Sequence, residues 1–90
     1  MRTVTVHYAR DALRQLQKLE KATAQRIVLK IAENAAQADP LSRARALCGR
    51  LAGKYRYRIG DYRAIFMVDE KGRLTILTVI AVAHRKDVYR

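Results

Sequence analysis

The period of apolar and polar positions changes twice along the chain, and each change predicts a change of structure. Val4, Val6 and Tyr8 alternate with Thr5 and His7, a partly β-branched, period-two stretch that predicts a short strand. Ala9, Ala12, Leu13, Leu16 and Leu19 then recur at helical spacing, with Arg10, Arg14 and Lys18 on the other side. That pattern predicts an amphipathic helix of about three turns. Thr23 suits the N-cap of a second helix, whose stripe is Ile27, Val28, Ile31, Ala32 and Ala35. With only Glu20 to Ala22 between the patterns, an antiparallel helical hairpin is expected. Asp39-Pro40 ends it, because the residue before a proline is pushed out of helical geometry.

A basic connection follows, with Arg43, Arg45 and Arg50 expected outside and Leu41, Leu47 and Leu51 inside. From Lys54 the period becomes two: Tyr55, Tyr57 and Ile59 alternate with Arg56 and Arg58. Gly60-Asp61 fits a two-residue hairpin turn of type II′, in which glycine supplies the positive φ. Tyr62 to Val68 is the return strand, Asp69 to Gly72 the next turn. Leu74 to Ala83, nearly all apolar or Thr, reads as a central strand covered on both faces. The expected fold is α+β in the order β-α-α-β-β-β. Its helical hairpin packs on one face of a four-stranded, mainly antiparallel sheet and leaves the other face as a working surface.

Length and composition narrow the class. Ninety residues fit one domain, 1–90, and half of them are hydrophobic, which argues against disorder. No apolar run approaches the ~18 residues of a membrane span, and the first residues do not read as a signal peptide. One cysteine, Cys48, allows no internal disulfide, and no Cys/His cluster has metal spacing. The expectation is a cytoplasmic protein with no membrane association, no cofactor and no metal. Charge changes the picture more. Nineteen Lys and Arg against eight Asp and Glu give +11, and 13 of the 19 are Arg. Such an excess repels itself and commonly serves a polyanion or an acidic protein partner. Arginine suits phosphate, since its planar fork bonds two oxygens at once.

A turn at Gly60-Asp61 puts Ile59 opposite Tyr62, Arg58 opposite Arg63, and Arg56 opposite Ile65 on the same face. Like charges placed across a sheet destabilise it, so either the side chains splay into solvent or an anionic ligand sits between them. The last strand returns toward the same turn and brings Arg85, with His84 and Tyr89, near Arg63. Arginines beside an imidazole and a phenol suit phosphoryl-ester chemistry: cations stabilise the phosphorane and titrating groups move the protons.

The string Leu51-Ala-Gly-Lys-Tyr-Arg-Tyr-Arg-Ile-Gly-Asp-Tyr-Arg-Ala-Ile-Phe and the closing His-Arg-Lys-Asp-Val-Tyr-Arg resemble the RelE branch of the RelE/ParE toxin superfamily. The element order is similar over essentially the whole chain. The resemblance implies a type II toxin that enters the ribosomal A site, contacts ribosomal RNA and cleaves the bound mRNA. The 2′-hydroxyl would attack its neighbouring phosphate without a metal, leaving a 2′,3′-cyclic phosphate and a 5′-hydroxyl. A cognate antitoxin, acidic in its toxin-binding segment, is implied as well. On that resemblance Arg56 and Arg58 occupy the family's basic pair, often lysines; Arg63 matches the arginine after the turn, Arg85 the one ending the last strand, and Tyr89 the C-terminal tyrosine. Arginine effectively never gives up its proton, so the pair would clamp phosphate rather than act as base. His84 and Tyr89 are then level as candidates, with Lys54 or Lys86 as substitutes for the missing lysine. Lys54, Arg50, Arg45 and Lys86 are expected to contact RNA. A ParE-like toxin that binds DNA gyrase and has no nuclease activity is the alternative, and a binding module that has lost activity is a third reading. Elsewhere the residues read plainly: His7 on an edge strand, Cys48 as a packing residue, the aromatics Tyr55, Tyr57, Tyr62 and Phe66 beneath the helices.

Overall fold

The computed structural model describes residues 3–87. Strand β1 (Thr3–Tyr8) leads into helices α1 (Arg10–Gln17) and α2 (Lys21–Ala35). Strands β2 (Ala44–Ala46), β3 (Tyr55–Ile59), β4 (Tyr62–Lys71) and β5 (Leu74–His84) follow. The α+β class and the element order are as expected, but the sheet has five strands, in the order β1-β5-β4-β3-β2. The additional strand, Ala-Arg-Ala, lies inside the basic connection and pairs antiparallel with β3, Arg45 facing Arg56. The sheet is mixed, because β1 runs parallel to β5 while its other pairs are antiparallel.

The helices depart from expectation at their ends. α1 is shorter than three turns, and α2 begins at Lys21 with Glu20 at its N-cap, so Thr23 lies inside the helix. One face of the sheet packs on them: Tyr57, Ile59, Ala64, Phe66, Leu77, Val79 and Val82 meet Ala12, Leu16, Ile27, Ile31 and Ala35 in one cluster. Val28 and Leu29 fall outside this stripe and are exposed. The Tyr57 and Phe66 rings meet tilted at 32°, 4.3 Å between centroids, and the Tyr57 hydroxyl donates to the Pro40 carbonyl at 2.6 Å. That bond ties the sheet to the chain leaving α2. Burial, with the Asp39 carboxylate nearby, pushes the Tyr57 phenol up to about 12, since both disfavour the phenolate.

β5 is central, hydrogen-bonded on both sides, but only one of its faces is covered by helices. Thr75, Leu77, Val79 and Val82 are buried, whereas Ile76, Thr78 and Ile80 on the open face are half-buried. The spacing of these positions is broken once. Ile65 pairs with Ala81 while its neighbour Phe66 pairs with Val79, so Ile80 is an extra residue in a β-bulge. Gln15 of α1 compensates for the break, its Oε1 accepting the Val82 N–H at 2.6 Å. A bulge shifts the parity of everything beyond it. It therefore decides which residues at the end of β5 face the helices and which face outward.

Candidate nucleic-acid interface

The hairpin that carries the basic pair closes in the expected register. Ile59 pairs with Tyr62, Arg58 with Arg63 and Arg56 with Ile65. Gly60 has φ 58° and Asp61 has a negative φ, the combination that a type II′ turn requires. The unexpected β2 extends the row, since Arg45 pairs with Arg56 from the other side. Arg45, Arg56, Arg58 and Arg63 thus share the face that the helices leave open.

They are not equivalent. Arg58 and Arg45 are exposed, and Arg56 is half-buried with its Nε inaccessible and without a hydrogen-bond partner. Arg63 is buried at 7% exposure, and its Nη1 donates to the carbonyls of Gly60 and Tyr62, each at 2.8 Å. This corrects the expectation of three open guanidinium groups side by side: Arg63 folds back and staples the turn. Like-charge repulsion with Arg58 is relieved because one guanidinium is directed into carbonyl oxygens. A cup of about 340 Å³ adjoins Arg45 and Arg56, with Leu47, Cys48 and Leu51 in its wall. Cys48 is exposed there rather than packed.

The end of β5 does return to the turn. The Arg85 N–H donates to the Asp61 carbonyl at 2.7 Å, and its Nε lies 3.8 Å from Asp61 Oδ1. His84 goes the other way. The bulge places it opposite Tyr62, with the two rings edge to face at 5.5 Å, on the helix side of the sheet. Its Nδ1 accepts the Lys86 N–H at 3.2 Å and its carbonyl accepts the Asp87 N–H at 2.8 Å. A neutral imidazole that accepts through Nδ1 carries its proton on Nε2. His84 therefore braces the turn that follows β5, and it is not brought together with the arginines.

Lys54 precedes β3 by one residue, and its carbonyl accepts the Leu47 N–H at 2.9 Å, which continues the ladder with β2. By alternation it stands on the Arg56 and Arg58 side. Arg50 lies in a 3-10 turn (Gly49–Leu51) and is exposed, as is Lys86 after β5. Tyr89 lies outside the described residues. His7 is exposed on the edge strand, and Arg10, Arg14 and Lys18 line the exposed side of α1, as the sequence suggests. Among the described residues, no group of three or more His, Cys, Asp or Glu comes together that could hold a metal ion. Likewise, no described helix is long and apolar enough to cross a membrane. Sequence reasoning missed Asp61 as a partner of Arg85. The signal was available, because a lone carboxylate stands at a turn flanked by arginines.

Residues 6–89 match the family described as the ParE toxin of type II toxin–antitoxin systems. The chain belongs to the RelE/ParE toxin superfamily. Toxin RelG of Mycobacterium tuberculosis is 33% identical over 89 residues, covering 96% of this chain and 95% of RelG. Among solved structures, the toxin–antitoxin complex RelBE2 from the same species matches with a TM-score of 0.74 at 29% identity, over 97% of each chain. The archaeal RelE–RelB complex from Pyrococcus horikoshii matches with a TM-score of 0.72 at 26% identity, over 96% of this chain and 99% of that one. This is a RelE-like type II toxin.

Proposed function

We propose that this toxin is a ribosome-dependent endoribonuclease that cleaves mRNA in the A site and so blocks translation. The observation that carries the reading is the row Arg45, Arg56 and Arg58 on the open face of a rigid sheet, with Arg85 held at its end through the 2.7 Å bond to Asp61. Arg56 and Arg58 sit two residues apart on one strand, roughly 6.6 Å, a spacing comparable to that of successive phosphates on a single strand. They clamp the backbone around the scissile phosphate and orient the 2′-hydroxyl for in-line attack. Arg85 stabilises the charge of the phosphorane, and cleavage leaves a 2′,3′-cyclic phosphate and a 5′-hydroxyl without a metal. Arg63 acts through the turn, keeping Gly60-Asp61 in place.

Lys54 or Tyr89, in its deprotonated form, takes the proton from the 2′-hydroxyl, and the other, protonated, gives one to the leaving 5′-oxygen. Lys54 is favoured over His84 because it stands on the arginine face. The relatives solved as RelBE2 and RelE–RelB complexes support a cognate antitoxin as partner, with an acidic segment suited to a +11 toxin. We place the toxin's action in the cytoplasm, as one domain, against mRNA and ribosomal RNA, with Arg50 and Lys86 extending the contact.

The test is to induce the toxin in bacteria, map mRNA 5′ ends and measure plasmid supercoiling alongside. Codon-phased cleavage that vanishes in Arg85→Ala supports the reading. Loss of supercoiling with intact mRNA would overturn it in favour of a gyrase inhibitor.

A further inference from the structure

Asp61 is an acidic residue within the basic end of the sheet, as is Asp87 after β5, and nothing in the hairpin requires an acid at position 61. Its φ is negative, so most residues would fit the second turn position. Its backbone already anchors Arg85 through the carbonyl, at 2.7 Å. The carboxylate adds a second, looser hold on the same residue, 3.8 Å from Nε, with the two side chains 68% and 56% exposed. At this distance and exposure the pair is weak and exchangeable. A phosphate that meets the guanidinium with two short charge-assisted bonds would displace it. Asp61 also borders the groove of about 810 Å³ between the turn and α2, where Arg58, Arg26, Lys30 and Glu33 contribute the other charges and Lys30 is paired with Glu33 at 3.3 Å.

We propose that Asp61 is a positioning residue that stands in for the RNA phosphate in the free toxin. It parks the Arg85 side chain at the hairpin end and yields it when the substrate's phosphate arrives. This rests on the proposed nuclease site. The carboxylate lowers affinity for any polyanion, and in return it keeps Arg85 at the place where the phosphorane forms instead of sweeping through solvent.

The experiment uses a single-stranded RNA carrying a 2′-deoxy substitution at the cleavage step, bound to the free toxin across a salt series. Asp61→Asn should bind about three- to tenfold tighter, and its log K against log salt should be steeper than the wild type's, because the carboxylate no longer offsets the Arg85 charge in the free toxin. The same substitution in an Arg85→Ala background should give little or no gain. Asp69→Asn, which removes an equal charge at the far end of β4, should change affinity much less. On programmed ribosomes, Asp61→Asn should lower KM while slowing single-turnover cleavage, and Asp61→Glu should restore the rate in part. The proposal is overturned if the gain persists undiminished without Arg85, if Asp69→Asn reproduces it, or if Asp61→Asn leaves affinity and rate unchanged. A wild-type toxin that neither binds this RNA nor cleaves mRNA on programmed ribosomes would instead remove the nuclease reading, and this proposal with it.

Discussion

The fold resists ionisation of the Tyr57 phenol, as burial also does for Tyr8. The neutral form is favoured by burial and then by the nearby Asp39 carboxylate, so the Tyr57 phenol is pushed up to about 12 in the folded protein, against about 10 in the unfolded chain. Below pH 10 the stabilising contribution is therefore complete. As pH rises toward 12 the unfolded state loses its proton first, and stability falls by up to about 1.4 kcal/mol per pH unit. Tyr57→Phe should flatten that dependence in denaturant titrations between pH 9 and 11. It should also lower stability at neutral pH by about 1–3 kcal/mol, because the buried Pro40 carbonyl loses its donor. At the site, Arg85 and Arg63 should separate. Arg85→Ala, at an exposed position, should keep the melting temperature and lose cleavage by about a hundredfold or more. Arg63→Ala should lose activity and also melt earlier, because two carbonyls at the turn lose their donor. Equal melting temperatures for the two variants would refute the staple.

At the scale of elements, the bulge at Ile80 decides more of the site than any turn does. Deleting Ile80 would remove the bulge and still leave Ala81 opposite Ile65, Val82 opposite Ala64 and His84 opposite Tyr62. The expected result is a chain that folds and stays toxic, read by circular dichroism and by growth after induction. Gln15→Leu acts on the bulged strand itself: it strands the Val82 N–H and should cost about 1–3 kcal/mol. The hairpin register around Gly60-Asp61 was legible in the sequence, because Tyr and Ile alternate there with Arg and the pattern cannot slip by one without burying guanidinium groups. The bulge was not. Leu74 to Ala83 is apolar or Thr at nearly every position, so one inserted residue leaves no mark on the period. That is why the side taken by His84 could not be read. β2 was missed for a different reason: Ala-Arg-Ala has neither the length nor the β-branched residues that announce a strand. Arg63 looked like its neighbours in the alternation, since nothing in a sequence tells a guanidinium reaching outward from one folding back onto its own turn.

Across the whole molecule the charge is unevenly placed. Arg45, Arg56, Arg58 and Arg85 gather at one end of the sheet, whereas at the far end of β4 Asp69 and Glu70 offset Lys71 and Arg73. An RNA strand would be steered toward the first end, and encounter should slow markedly as salt screens it. Binding of single-stranded RNA should fall by at least tenfold between 50 and 200 mM salt, at roughly 0.7 per phosphate contacted in a log–log plot. A salt-independent affinity would mean that bases, and not backbone, are held. The exposed Val28 and Leu29 on α2 are apolar and should not contribute to that slope.

The parallel pairing of β1 with β5 also governs when the molecule can exist. Thr3 lies beside Leu74, so the first strand to leave the ribosome has no neighbour until roughly seventy more residues have followed it. Until then its backbone is an open edge, and the helices have only part of their sheet to cover. The strand that closes the sheet is also the one that delivers Arg85. On the proposed reading of Arg85, closing the sheet and completing the site are thus one event, and a chain made only as far as β4 lacks both.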